Sequence, residues 1–227
     1  MKNRSFQWLA ASLAAALWAL PLSADPIAGG LILAGKVIVL DPGHAAKNDA
    51  GAIINPGAQA RHNGPRERDV ALAVSSRIVP LLEAKGAKVY MTRTPANPWR
   101  YNDQRLGDNR ARAIFANLLR ANAYVRLHCD WNRSRQFKGH TTYYFHWGSR
   151  SLAVAVNEAL NKAMTEQRDN GVHRRSFVSV TAHMPTALVE MGVLSYKPEG
   201  KALGDAAYQD KLAQAIADGI TAYLVNH

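Results

Sequence analysis

Three short apolar segments of this 227-residue chain are each followed by a side chain that can bind a metal ion or transfer a proton. These side chains are His44, His128 and Glu190. Each segment has the length and composition of a strand that is buried on both faces, as in a parallel sheet. Because side chains at the carboxyl ends of neighbouring parallel strands converge on one crevice, we expect the three to lie together. Two histidines and a carboxylate in one crevice are suited to binding a metal.

Glu67 is a fourth candidate for this site, because it stands at the start of the first long helical pattern. The helix dipole alone favours an acidic residue there, so the position by itself does not indicate a ligand. His140 and His146 border a tyrosine-rich segment and are alternative ligands, although such residues more often belong to an ordinary sheet surface. Cys129 directly follows His128 and is an alternative nucleophile. No dedicated base is evident for it, so a small buried residue is the simpler interpretation.

Four sequence motifs resemble those of zinc-dependent N-acetylmuramoyl-L-alanine amidases, the bacterial cell-wall amidase family typified by the cell-separation amidases. Residues 40–44 (Leu-Asp-Pro-Gly-His) resemble the first zinc-ligand motif, and residues 67–70 (Glu-Arg-Asp-Val) resemble the second. Residues 127–130 (Leu-His-Cys-Asp) resemble the third, and residues 188–195 (Leu-Val-Glu-Met-Gly-Val-Leu-Ser) resemble the segment that holds the catalytic glutamate. The resemblance extends from about Val37 to the end of the chain.

This resemblance implies a reaction and a role for each candidate. His44, Glu67 and His128 would hold one Zn²⁺ and leave a position open for water, and Glu190 would act on that water as the catalytic residue. The implied substrate is peptidoglycan, in which the enzyme cleaves the amide between N-acetylmuramic acid and L-alanine of the stem peptide. A zinc peptidase acting within the stem peptide and a cell-wall-binding module without turnover are alternatives. The intact set of four residues argues against the binding module.

The sequence also departs from the family pattern. Arg126 stands where the family commonly has serine, and Tyr196 replaces a frequent asparagine, so we expect differences in substrate contacts. Large members of the family insert a regulatory helix between the third ligand and the catalytic glutamate. Here that interval, residues 129–189, has only 61 residues. We therefore expect no inserted helix and no obligatory activator protein.

The elements that must position these residues alternate between strands and helices. Apolar and β-forming runs predict strands at residues 37–40, 87–92, 123–127, 141–145 and 186–189, with an edge strand within 172–180. Helical spacing predicts helices at residues 67–85, 103–119, 151–167 and 206–224. Long loop 45–66, a turn at 168–171 and a polar loop after Glu190 complete the chain. This alternation predicts an α/β fold, a three-layer sandwich in which a mostly parallel, mixed sheet of about six strands has helices on both faces.

The first 24 residues have the layout of a secretory signal peptide. A positive start and an apolar run from Trp8 to Leu20 precede a plausible cleavage site after Ala24. A membrane anchor is the alternative, but the run is shorter than the roughly 20 residues needed to span a bilayer. We therefore expect export to the periplasm or the cell exterior, without a membrane anchor after cleavage. A short lead segment at 25–35 and one catalytic domain at 36–227 would follow.

The chain is strongly basic. Its formal net charge is +11, which removal of Lys2 and Arg4 with the signal peptide would reduce to +9. Such a charge favours polyanionic partners. The sequence shows neither a helix-turn-helix pattern nor zinc-finger spacing, so we expect the anionic cell wall as partner and not nucleic acid. The single cysteine excludes an internal disulfide framework.

Overall fold

The computed structural model describes residues 31–48, 50–97, 99, 108–176 and 181–227. The predicted signal peptide, most of the lead segment, the beginning of the predicted second helix and the end of the region assigned to an edge strand lie outside these residues. Among the helices that are described, none is both long enough and apolar enough to cross a membrane.

One six-stranded sheet organises the described part of the chain. Its strands are β1 Val37–Pro42, β2 Lys88–Met91, β3 Ala123–Asp130, β4 His140–Tyr144, β5 Asp169–Arg174 and β6 Thr186–Val193. The strand order is β2-β1-β3-β6-β4-β5, and the first four strands in this order run parallel. β4 is antiparallel to β6 and parallel to β5, so the sheet is mixed and β5 forms an edge, as predicted.

Helices cover both faces of this sheet. They are α1 Glu67–Glu83, α2 Asp108–Leu118, α3 Arg150–Ala163, α4 Lys197–Ala202 and α5 Ala206–Val225. α1, α3 and α5 contribute to the larger hydrophobic cluster on one face, and α3 and α1 both pack against α5. α2 packs on the other face through a smaller cluster. This arrangement confirms the predicted α/β sandwich with a mostly parallel, mixed sheet.

The first strand shows why an unbroken apolar run predicts a central strand. Ile38 and Leu40 are fully buried in the larger cluster, whereas Val39 is fully buried in the cluster beneath α2. Successive side chains of a strand point to opposite faces, so both sets must be apolar when helices cover both faces. Asp41 is the next residue on the α2 face, and it is also fully buried. A buried carboxylate at this place requires partners, which the site supplies.

Several predicted boundaries are wrong. β3 and β6 continue to residues 130 and 193, so His128 and Glu190 lie within paired strands and not beyond their ends. The predicted turn at 168–171 is mostly the start of β5, because an irregular β4–β5 register accommodates the positive φ of Gly171. The expected polar loop after Glu190 contains α4, which has Pro198 in its first turn, where proline's missing N–H is tolerated.

Candidate metal centre

The backbone that carries His44 has an uncommon conformation. His44 and Ala45 are both left-handed, with φ of 65° and 57°. This conformation costs about 1–2 kcal/mol per residue when a Cβ is present. The preceding residue, Gly43, has no side chain, and a Cβ at that position would lie 2.7 Å from His128 Nδ1. Glycine therefore allows the His128 ring to lie directly against the segment that carries His44.

Glu67, the first residue of α1, lies between the two imidazole rings. Its Oε1 atom is 2.7 Å from His44 Nε2 and 3.0 Å from His128 Nδ1. The backbone amides of Cys129 and Ala58 donate hydrogen bonds to Oε1 and Oε2, at 3.2 and 3.0 Å. Burial would raise the pKa of Glu67, but the hydrogen bonds and charges of the two histidines hold that pKa well below its usual range. Glu67 is thus an ionised carboxylate with one oxygen aimed at both rings.

The donor atoms of the three residues meet in a small volume. One ligand atom from each of His44, Glu67 and His128 lies within 4.8 Å of the others. His44 Nε2 and His128 Nδ1 are 3.2 Å apart, and the two rings meet edge to face. Zinc binds nitrogen and oxygen donors at about 2.0–2.2 Å, so donors at these separations can share one ion. The structure therefore brings together three of the four residues that the sequence predicted for this site in one ligand set.

The contacts of His44 and His128 indicate which of their ring nitrogens could bind a metal. His44 Nδ1 lies 2.8 Å from Asn55 Oδ1, which can only accept, so a proton on Nδ1 would leave Nε2 as the nitrogen that faces a metal. Nothing in the sequence distinguished Asn55 from the other polar residues of its loop. Burial lowers the pKa of His128, which favours the neutral form that binds a metal. The Nε2 atom of His128 is buried and has no hydrogen-bond partner among the described residues.

Glu190 lies beside His128 on the neighbouring strand, in register with it. Its Oε2 atom is buried and has no hydrogen-bond partner in the described part of the chain. Burial raises the pKa of Glu190 well above its ordinary value, and the charges of Glu67 and Asp130 raise it further. The pKa of Asp130 is raised as well, first by burial and then by Glu67. Glu67, Asp130 and Glu190 thus disfavour one another's ionised forms. A cation bound near them would favour those ionised forms.

A buried ion-pair network adjoins the metal site, and it was not predicted from the sequence. Asp41 pairs with Arg112 at 2.8 Å and with Arg126 at 2.9 Å. The hydroxyl groups of Thr92 and Tyr124 donate further hydrogen bonds to its carboxylate. Although burial alone would raise the pKa of Asp41, Arg112 and Arg126 hold it far below its usual range. Arg126, the residue that departs from the family pattern, is itself buried in this network.

Two buried arginines hold the backbone that leads to His44. Arg112 donates from Nη2 to the carbonyl oxygen of His44 at 2.8 Å and from Nη1 to that of Pro42 at 3.2 Å. Arg93 donates from Nε to Pro42 at 2.9 Å and from Nη2 to Gly43 at 2.8 Å. Each carbonyl from residue 42 to residue 44 thus accepts a hydrogen bond from a guanidinium group. These bonds offset the conformational cost of the left-handed segment.

The alternative candidates have other partners. His140 is fully buried, and its Nδ1 lies 3.1 Å from Gln167 Oε1 while its Nε2 lies 3.6 Å from Asp169 Oδ1. His146 is exposed at the surface. Burial raises the pKa of the Cys129 thiol well above its ordinary value, which is the opposite of what an activated nucleophile requires. Of the described residues, the group that could hold a metal consists of His44, Glu67 and His128.

Comparison with known protein families agrees with this geometry. A family profile described as N-acetylmuramoyl-L-alanine amidase matches residues 38–222. The chain belongs to this amidase family. The predicted reaction class is therefore confirmed: the protein is a hydrolase of peptidoglycan, acting on the bond between N-acetylmuramic acid and L-alanine.

Two curated amidases illustrate the relationship in sequence. The germination-specific N-acetylmuramoyl-L-alanine amidase of Bacillus subtilis is 30% identical over 216 residues, which cover 91% of this chain and 82% of the relative. The probable cell wall amidase LytH of Staphylococcus aureus is 28% identical over 191 residues. That alignment covers 84% of this chain but only 59% of LytH, so the chain spans less than two thirds of that relative.

Solved amidase structures share the fold. The catalytic domain of the amidase CwlV from Bacillus (Paenibacillus) polymyxa has a TM-score of 0.72 at 30% identity, over 83% of this chain and 98% of that one. The CwlD amidase of Clostridioides difficile, solved in complex with the GerS lipoprotein, has a TM-score of 0.71 at 26% identity, over 85% of this chain and 100% of that one. The six-stranded sheet and its helices are thus the amidase fold.

Proposed function

We propose that this amidase is zinc-dependent and that His44, Glu67 and His128 hold the ion. The observation that carries the proposal is the convergence of one ligand atom from each residue within 4.8 Å. Two imidazoles and one carboxylate are typical of catalytic zinc sites, which keep a further position open for water or substrate. Mg²⁺ and Ca²⁺ prefer sets of oxygen ligands, so the two nitrogen donors favour zinc.

In this proposal Glu190 carries the proton. Zinc, when bound, polarises the amide carbonyl and lowers the pKa of a bound water to about 7. The Glu190 carboxylate, in register with His128 and with one buried oxygen that has no partner among the described residues, accepts the proton of the attacking water. It then returns the proton to the L-alanine nitrogen as the carbon–nitrogen bond breaks. The products are a lactyl carboxylate on the glycan and a stem peptide with a free amino group.

We also propose that residues 1–24 are a signal peptide and that residues 36–227 are the catalytic domain of an exported enzyme. The charge and apolar patterning of the N-terminus support export, and a substrate in the cell wall requires it. The match of the family to residues 38–222 supports the limits of the domain. N-terminal sequencing of the mature protein tests this proposal, because cleavage after Ala24 would leave Asp25 as the first residue.

Mass spectrometry of digested peptidoglycan tests the reaction itself. The purified chain with added zinc should release stem peptides that begin with L-alanine and leave glycan strands without peptides. A zinc peptidase would instead release shorter peptides and leave alanine on the glycan, and a binding module would release nothing. A metal chelator should abolish release, and zinc should restore it. Retention of activity after complete removal of metal would contradict the role of zinc.

A further inference from the structure

A second surface feature lies beside the metal centre. A groove of about 750 Å³ runs between the loop that precedes α1, the short helix α4 and the beginning of α5. Its lining includes Ala60, Arg61, Leu194, Lys197, Lys201 and Tyr208. The walls are therefore apolar, with three cationic side chains along them. This combination is suited to a ligand that carries both small apolar groups and negative charge.

The positive charge of the groove is not neutralised by neighbours in the described structure. Arg61, Lys197 and Lys201 form no ion pair with any described residue, and the Nε atom of Arg61 is buried without a hydrogen-bond partner there. The acidic residue of the lining is Asp205, whose Oδ1 caps α5 by accepting the backbone N–H of Tyr208 at 2.9 Å, and the three cationic side chains outnumber it. An anion entering the groove would thus meet donors that lack partners.

Two contacts tie one wall of the groove to the metal ligands. The loop that carries Arg61 also supplies Ala58, whose backbone amide donates to Glu67 Oε2. The guanidinium of Arg61 lies over the ring of Trp131, with its Cζ 5.6 Å from the ring centroid. Trp131 stands three residues after His128 in the chain. The loop that forms this wall therefore also contacts Glu67 and the segment that follows His128.

The other wall is tied to the proposed catalytic residue. Leu194 stands four residues after Glu190, and its backbone amide donates to the carbonyl oxygen of Asp130 at 2.8 Å. α4 follows directly and carries Lys197 and Lys201. The segment that follows Glu190 in the chain therefore forms part of this wall.

We propose that this groove binds the stem peptide of the substrate and recognises its carboxylates through Arg61, Lys197 and Lys201. This inference rests on the proposed function, because it assumes that the amide to be cleaved lies at the metal centre. The alanine side of that amide continues into a peptide, and a peptide ends in a carboxylate. Leu194 and Ala60 offer apolar surface to its methyl groups. The groove would thus select a free acidic peptide over an amidated one.

Charge-neutral variants test the inference on a defined substrate. The enzyme would be assayed with a muropeptide whose stem carboxylates are free and with the same compound in amidated form. In the double variant Lys197→Gln/Lys201→Gln, KM for the free acid should rise about fivefold, since two exposed charge contacts are lost, while kcat and zinc content stay unchanged. KM for the amidated substrate should respond less. Arg61→Gln should behave in the same way.

A matched control is available elsewhere on the surface. Lys162 and Lys211 line a separate groove formed by α3 and α5. The double variant Lys162→Gln/Lys211→Gln removes the same charge and should leave both KM values unchanged. If this control raises KM as much as the groove variant does, net charge alone accounts for the effect and the groove is not the binding site.

The test separates this inference from the proposed function. Calorimetry of the zinc-loaded protein with the free stem peptide measures binding even if no cleavage occurs. Binding by the wild type that weakens in Lys197→Gln/Lys201→Gln supports the groove whatever the outcome of the activity assay. Cleavage with equal KM for free and amidated substrates, or binding that is the same in variant and wild type, overturns the inference and leaves the proposed reaction standing.

Discussion

Arg112 Nη2 donates a hydrogen bond to the backbone carbonyl oxygen of His44 across 2.8 Å, so a helix on one face of the sheet holds the backbone of a proposed metal ligand. The same guanidinium pairs with Asp41 at 2.8 Å. His44 has a left-handed backbone that would be unfavourable on its own. The position of the His44 ring therefore depends on a residue that does not touch the metal site.

We predict that Arg112→Lys weakens zinc binding about tenfold or more, as is typical when the groups that orient a ligand are changed. Lysine keeps the charge near Asp41 but cannot reach two carbonyl groups at once. Competition with a chelator of known affinity measures the zinc dissociation constant. Arg110→Lys, at an exposed position of the same helix, is the control. Reduced thermal stability with an unchanged zinc affinity would show that Arg112 only supports the fold.

The ligand assignment predicts that His128→Ala loses most of its zinc. The ring supplies a nitrogen 3.0 Å from Glu67 Oε1 and 3.2 Å from His44 Nε2, and alanine removes one of three donors. Elemental analysis of the purified variant gives the metal content directly. His146→Ala removes an exposed histidine and should retain the full content. Full occupancy in His128→Ala would exclude His128 from the site.

For Glu190→Gln we predict a folded protein with normal zinc content and turnover reduced about 10²–10⁴-fold, the usual contribution of a positioned acid or base. Glutamine keeps the shape but cannot accept the proton. Removing a carboxylate that disfavours the charges of Glu67 and Asp130 should not destabilise the fold. Glu158→Gln, on α3, is the control. Near-normal hydrolysis by Glu190→Gln would assign the proton transfer to another group.

Asp41→Asn should lower the free energy of unfolding by about 3–5 kcal/mol at pH 7, because it leaves Arg112 and Arg126 buried without their shared anion. The pKa of Asp41 is depressed in the folded protein, so its contribution is present above the unfolded pKa of about 3.9 and is lost as pH falls below it.

Denaturant titrations of both proteins across pH 3–7 check this prediction. The difference between wild type and Asp41→Asn should be constant above about pH 5 and shrink in more acidic solution. Asp210→Asn breaks an exposed pair with Arg77 and should cost less than about 1 kcal/mol. A difference for Asp41→Asn that does not change with pH would show that packing, and not charge, causes the loss.

The sequence predicted the side chains that face the crevice and missed those that hold them in place. His44, His128 and Glu190 follow or occupy apolar runs whose period reveals strands, and Glu67 begins a helical pattern. Arg112 acts on a carbonyl group 68 positions away in the chain, and backbone acceptors leave no residue-type signal. The same holds for Asn55, which is one polar residue among many in its loop and which only the folded chain brings to His44.

The ends of strands β3 and β6 also could not be predicted from the local sequence pattern. Polar residues at 128 and 130 and at 190 ended the apolar runs, so the predicted strands stop before them. In the structure the β3–β6 ladder continues, because backbone pairing does not depend on the side chains that face the crevice. His128 and Glu190 therefore lie on paired backbone.

The last prediction is that the purified chain, supplied with zinc, hydrolyses peptidoglycan without an activating protein. A regulatory helix would have to lie over the metal ligands. Between β3 and β6, α3 is the long helix in the described part of the interval. It packs against α5 on the face that also buries Leu127 and Cys129. His128 alternates with these residues and points to the other face, so α3 does not cover it.

Two acidic residues of this interval, Asp169 and Glu158, are also poorly placed to block the site. Asp169 Oδ1 accepts hydrogen bonds from the amide of Gly171 at 2.7 Å and the side chain of Asn157 at 3.0 Å. Glu158 belongs to α3. Release of soluble peptides from isolated peptidoglycan should therefore begin on addition of the purified enzyme, and a cell extract should not increase the rate. If a zinc-loaded preparation stays inert until extract is added, an activator is required, and loop 45–66, which carries Asn55 beside His44, becomes the segment to examine as its target.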